Sequence, residues 1–446
     1  MRRLLLGLSV AALGAASALM PAPAVPPPPL SGVVIERLGI SSPTDATIWY
    51  CPWAQATTTR DSAISLVAAA PAVADLTLPV LIPGEPPDRV STAIDGPGGA
   101  VITLSEVAQR GDSPGFVEFA GGPSGAAVVV SGEVLAADAC VGHAGDEWFF
   151  VGGSTMTGEA LRLRLFNPFP EAATVTVSAF SEIGTEVLGS MSKVTISSRS
   201  WTDLDFAEQL RQRQSLIVSV RLDSGLAVPA MAFTQGVDQA WWSGTGLATA
   251  WELPISRLSA DDSAAIVVAN PSLGDIAVDV ELFGTEGAQR TQLVLDIPAQ
   301  APARLDLSTV DLDFDVVAAR VSSPTPVAAG VVSTGALGTA VTSGVEQQAG
   351  TWLLPGTRPE AGKSASLWLL NTSDSAVVVT VSRLTGDEVF NTNEILEPGT
   401  VTEIPVVGGD TIGYMVRSAD PFSAAWSVRA DGRVAFSAGI PVPPDE

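Results

Sequence analysis

Two cysteines, Cys51 and Cys140, and one histidine, His143, bound the thiol and imidazole chemistry open to this chain. A nucleophilic thiol needs a base beside it, and His143 is the sole imidazole. It stands in VGHAGDE with Asp146 and Glu147 close by, which reads as an exposed connection between units. Cys140 and His143 together give a metal ion too few ligands. Nothing resembling a nucleophile elbow precedes a helix, so a Ser-His-Asp triad has no local support. A Cys51–Cys140 disulfide is preferred over a metal-bound or nucleophilic cysteine. Closing so long a loop would stabilise its unit by roughly 2–4 kcal/mol.

Carboxylates are plentiful, yet their spacing is uninformative. Asp311, Asp313 and Asp315 alternate in VDLDFDVV, where a calcium cluster competes with one solvated strand face or turn. The EF-hand glycine and the bidentate glutamate are both missing, which favours the solvated face. The 48 acidic residues leave room for a glycosidase-type pair, but none stands out. Trp241-Trp242, flanked by Ser243-Gly244, is the most unusual aromatic feature. Adjacent strand residues face opposite sides, so both rings cannot enter one core. Either one ring is an exposed platform for a sugar or partner, or it is buried between the second and third units. Trp241 and Trp242 are therefore the candidate binding residues. No catalytic residue, metal ligand or cofactor is assigned.

The elements that must hold these residues repeat. Trp49, Trp148, Trp251 and Trp352 recur at intervals of about one hundred residues. Asn167-Pro168, Asn270-Pro271 and Asn371-Thr372 each begin nineteen residues after their tryptophan, and Ala70-Pro71 is a drifted first copy. Asp203-Leu204, Asp306-Leu307 and Glu403-Ile404 supply a further marker. Aligned in this way, Cys140 falls at the last-strand position of Trp241. Between the markers the apolar residues alternate, as in Val175 and Val177, Ile276 to Leu282, and Val377 to Val381. That period puts one row of side chains into a core and the other toward water. Gly184, Gly284 and Gly386 mark hairpin turns. Asp205 to Gln212 is the main helical segment expected.

Seven or eight strands per unit predict an all-β chain of four tandem immunoglobulin-like β-sandwiches. Their bounds are 31–145, 146–249, 250–350 and 351–446. A β-propeller is the rival, disfavoured because its blades run about 40–50 residues.

Residues 1–30 read as an export segment. Arg2 and Arg3 precede the apolar run Leu4 to Leu19, and Ala22-Pro23-Ala24 offers a cleavage pattern. The alternative is an uncleaved anchor, followed in either case by the stiff tether Pro21 to Pro29. The formal charge of −25, with Lys193 and Lys363 the only lysines, excludes a nucleic-acid partner.

Trp49-Tyr50-Cys51-Pro52, the late Cys140 and the strand-Asn-Pro-strand phrase resemble an uncharacterised family of exported actinobacterial proteins. That resemblance implies an envelope location, with members encoded near cell-wall glycosyltransferase genes. It carries over no catalytic residue. The expected function is a non-catalytic, extracytoplasmic binding or scaffold protein whose partner is an envelope protein or glycan. A carbohydrate-binding module is second, and a carboxylate-dependent hydrolase third.

Overall fold

The computed structural model describes residues 48–443, apart from 80–85, 109–110, 256–262, 288, 312–313, 316, 336–337, 359–362 and 387. The expected export segment, the proline tether and Asp313 lie outside the described residues.

One strand-pairing scheme is found after each of the four periodic tryptophans. In the second unit one antiparallel sheet runs Glu147–Val151, Leu216–Ser224, Ala173–Ser181, Lys193–Ile196 from edge to edge. The other runs Ser200–Asp205, Glu159–Asn167, Val228–Gln235, Asp238–Ser243. The same order recurs around Trp49, Trp251 and Trp352. In the third and fourth units one long strand, Ala318–Gly335 or Gly413–Ala430, passes through both sheets. Among the described residues helix is confined to short turns; the expected segment after Asp205 is a single 3-10 turn, Phe206–Glu208, capped by the Asp205 side chain.

The alternation read from sequence sets which side is buried. Val175, Val177 and Ala179 are buried while Thr174, Thr176 and Ser178 are half-exposed. The asparagine that ends each second strand fastens the turn after it. Nδ2 of Asn167, Asn270 and Asn371 donates to the carbonyl four residues on, at 2.7, 2.8 and 2.8 Å. The same groups reach back to the carbonyls of Ile196, Ile297 and Leu396. Oδ1 accepts the amide two residues on, which is the Asx turn that lets the chain reverse.

The units are not separate bodies. Residues 42–446 form one compact unit. The last strands of the four units, Ala136–Ala139, Asp238–Ser243, Gly338–Ser343 and Arg433–Ala438, touch in order, and the fourth touches the first. They close a cycle. Around it, the apolar core of the third unit continues into Trp368, Leu370, Val434 and Phe436 of the fourth. The core of the fourth continues into Ala127, Val129, Leu135 and Ala137 of the first. Closure of a ring by innermost strands is the feature shared with the rival propeller. Two sheets per repeat, rather than one per blade, account for the doubled period.

Register corrects two sequence alignments. Cys140 donates its amide to Ala126 as Gly344 and Gly439 do to Ala329 and Ala424. It therefore matches those glycines, and Gly244, rather than Trp241. Glu403 pairs with Trp368 as Asp203 pairs with Arg164, so Glu403-Ile404 matches Asp203-Leu204. Asp306-Leu307 lies beyond that register, because Arg304 occupies the position facing Val267. Unequal loop lengths hide such shifts from counting.

Candidate functional site

Cys51 and Cys140 form a disulfide that closes 89 residues. Its place in the repeat explains why the pair occurs once. Cys51 stands two residues after its tryptophan, where the other units have Phe150, Leu253 and Leu354. A β-carbon on Gly244 would lie 2.8 Å from the Phe150 ring, on Gly344 2.8 Å from Leu253, and on Gly439 2.8 Å from Leu354. Three units thus seat a large side chain over a glycine. The first replaces that contact by a covalent bond. The amides and carbonyls of Tyr50 and Val141 pair beside it, holding the first strand to the end of the last.

Both candidate binding tryptophans are buried, Trp241 at 1 % and Trp242 at 0 % exposure. Neither ring can serve as an exposed platform. Trp241 also lies at a different junction from the one expected. The Arg164 guanidinium sits 5.3 Å from its ring centre, and Arg164 reaches into the first unit. The pair was expected to split between two environments because neighbouring residues diverge; ring closure gives both environments an interior.

Arg164 was missed from sequence. It is fully buried, and it meets Asp203 bidentately at 2.8 Å and Asp112 of the first unit at 2.9 Å. It also donates to the Pro52 carbonyl. A buried guanidinium is tolerated because its planar donors are so nearly satisfied. Burial opposes its charge, but the two carboxylates outweigh that and push its pKa up. A signal existed: three residues before Asn167, Asn270 and Asn371 stand Arg164, Val267 and Trp368. A charge at a position held by buried apolar residues in the third and fourth units marks a special junction.

At the ring's centre each last strand gives one residue to a hydrogen-bonded series. The Ser343 hydroxyl donates to the Ser243 carbonyl at 3.0 Å. The Ser243 amide and hydroxyl donate to Asp138 at 2.7 and 2.9 Å. The Ser437 hydroxyl donates to the other Asp138 oxygen. Burial pushes the Asp138 carboxyl up to about 6, the hydrogen bonds only partly opposing it. At the junction of the third and fourth units, Glu252 is buried and accepts from Thr372 at 3.2 Å and Gln348 at 3.3 Å. Burial raises it to about 7 although Arg320 stands 3.5 Å away.

An open cleft lies between the first two units. It measures about 540 Å³ and is walled on one side by Gln55, Thr57, Thr59 and Arg60, and on the other by Arg162, Thr234 and Gln239. Thr57 anchors its rim, since its hydroxyl takes the amides of Thr59 and Arg60. A short strand pair, Gln55–Ala56 with Gly111–Asp112, builds the first wall. Among the described residues that pair occurs only in the first unit.

The remaining candidates do not converge on it. His143 is exposed, with one face stacked on Trp148 at 4.9 Å. Asp311 and Asp315 fall in a stretch where Asp313 is not described. Among the described residues no three acidic, histidine or cysteine side chains form a metal-sized group. No described helix is long and apolar enough to cross a membrane.

The chain is thus an all-β protein built from tandem repeats and stapled once by a disulfide. It belongs to the family of unknown function DUF5719, whose profile matches at residues 124–258 and again at 247–438, together more than half of the chain. No curated protein matches it.

Proposed function

We propose that the protein is an exported, non-catalytic binding or scaffold component of the cell envelope, made of four immunoglobulin-like β-sandwiches locked in a ring. The observation that carries this reading is the fate of its polar groups. Arg164, Asp138 and Glu252, which sequence reasoning would rank as chemically promising once buried, are each bonded across unit junctions. They hold the ring together, and none of them lines the cleft between the first two units. The disulfide supports an oxidising compartment, where such bonds persist, and the apolar segment after Arg3 supplies the export route. A rigid, acidic, lysine-poor ring suits a role of holding a partner in place. The stacking form of a carbohydrate-binding module is set aside, because Trp241 and Trp242 are covered.

The test is fractionation of cells producing the full chain. Expected is recovery outside the cytoplasm, with the Cys51–Cys140 peptides linked on non-reducing digestion, and co-sedimentation of the purified protein with envelope fragments. Recovery in the cytoplasm with two free thiols would refute the reading.

A further inference from the structure

The repeat supplies its own control for the cleft between the first and second units. Five residues before Asn167, Asn270 and Asn371 stand Arg162, Ala265 and Ser366. Gln239 of the second unit is matched by Thr339 in the third and Val434 in the fourth, each facing the strand before it in the same register. The junction of the third and fourth units is filled by Trp368, Val434 and Phe436, and that of the fourth and first by Leu135, Ala137 and Val129. Apart from the buried Glu252 cluster at the first of them, those seams are apolar. At the first junction Arg60, Arg162, Gln55 and Gln239 stand instead, and among the described residues only there does an extra strand pair add a wall. A change confined to one copy of a repeat, and coupled to an insertion there, is how such folds gain a binding face.

The lining says what would fit. Asp112 is engaged by Arg164 at 2.9 Å. Glu133 accepts from Thr59 at 3.0 Å and lies 3.9 Å from Arg60. Arg162 has no ion-pair partner among the described residues and is exposed. The cleft therefore offers one unmatched guanidinium and a second weakly held one. Around them stand threonine hydroxyls and glutamine amides, groups that both donate and accept. Val237 is its only sizeable apolar side chain, and it holds no aromatic floor. Its volume lies in the range of small-molecule sites, but its polarity is wrong for an apolar ligand.

We infer that this cleft binds an anionic saccharide, its carboxylate or phosphate held by Arg162 and Arg60 and its hydroxyls by Thr234 and Gln239. The inference rests on the envelope-binding reading and gives it a site and a ligand class. Arginine suits either anion, because its planar donors match carboxylate and phosphate alike.

Calorimetry or ligand-observed magnetic resonance on the full chain would test it with three probes. These are a galacturonate hexamer, a mannose phosphate, and a neutral glucose hexamer. Expected is weak binding of one or both anionic probes that falls with added salt, with the neutral hexamer bound much less well. Which anionic probe binds identifies the source of the charge. R162Q should weaken that binding by roughly ten- to a hundredfold, the worth of one charge-assisted hydrogen bond. S366A, at the matching position of the fourth unit, should leave it unchanged. Melting should stay the same in R162Q, since Arg162 is exposed, so lost binding would not reflect lost folding. Equal binding of the neutral hexamer, absence of binding by both anions, or full binding by R162Q would overturn the inference. If either of the last two came with undiminished co-sedimentation with envelope fragments, the scaffold reading would stand without this site.

Discussion

Replacing Asp138 by asparagine should change how the stability of the ring responds to pH. The carboxyl is fully buried and linked to strands of the second and fourth units. Burial lifts it from an ordinary 3.8 to about 6 in the folded chain. A carboxyl raised on folding binds its proton more tightly in the native state. Its contribution is therefore fully present below about pH 4 and is lost as pH rises through about 6. Two pH units of difference correspond to about 3 kcal/mol of stability lost between acid and neutral conditions. The amide keeps the shape, can accept from the Ser243 amide and hydroxyl, and can donate toward Ser437, but it has no proton to lose. Urea unfolding at intervals from pH 4.5 to 8 should give the parent chain a downward slope through pH 6 that D138N lacks. At pH 8 the variant should match or exceed the parent. Other groups titrate in both chains, so the difference between the two curves is the quantity to read. Parallel curves would show that Asp138 is not desolvated as described, and the account of the ring's centre would fall with it.

Glu252, raised from 4.5 to about 7 by burial, has the same sign, so E252Q should remove a loss of stability that runs from about pH 4.5 to about pH 7, measured in the same way. Arg164→Ala should cost about 3–5 kcal/mol, because Asp112 and Asp203 would remain crowded without their cation; denaturant melts would read it, and a cost below 1 kcal/mol would refute the clamp. Trp241→Ala should likewise cost about 3–5 kcal/mol, since a fully buried ring leaves a cavity, and near-wild-type stability would contradict its burial. Removing the disulfide as C51A/C140A should lower stability by about 2–4 kcal/mol. C51L/C140G, which installs the pair found at Leu253 with Gly344, should recover part of that loss.

What sequence made legible was local. The alternation of Val175 and Val177 identified strands because burial on one face has a period of two, and Asn270 announced its turn because its side chain bonds its own backbone. The disulfide was legible because only two thiols exist in the chain and the first and last strands of a unit run side by side. Closure of the ring was not, since it depends on contacts between residues three hundred positions apart. Asp138 looks ordinary in AADAC until Ser243 and Ser437 arrive from other units. The same closure misled the reading of Trp241, whose outward face was expected to meet solvent or the third unit and instead meets Arg164. The cleft was missed because its two walls come from different units, and only comparing Arg162 with Ala265 and Ser366 makes its chemistry visible in the sequence.

A ring of repeats that share one strand order has a problem that a single repeat does not. Any apolar outer face can pack on any neighbour, so uniform seams would leave the order of units and the point of closure underspecified. The polar groups distinguish the seams. Arg164 fits only where Asp112 and the Pro52 carbonyl await it, and among the described residues the extra strand that carries Asp112 occurs in the first unit alone. Glu252 needs Thr372, which the fourth unit brings. Asp138 needs hydroxyls from the second and fourth units together, a condition met only when the cycle is complete. A mispaired seam would leave one of these charges buried without partners, which costs more than an apolar mismatch. Each buried charge thus weakens its own seam relative to a greasy one while penalising the alternatives more. The ring keeps its order for the same reason that its stability depends on pH.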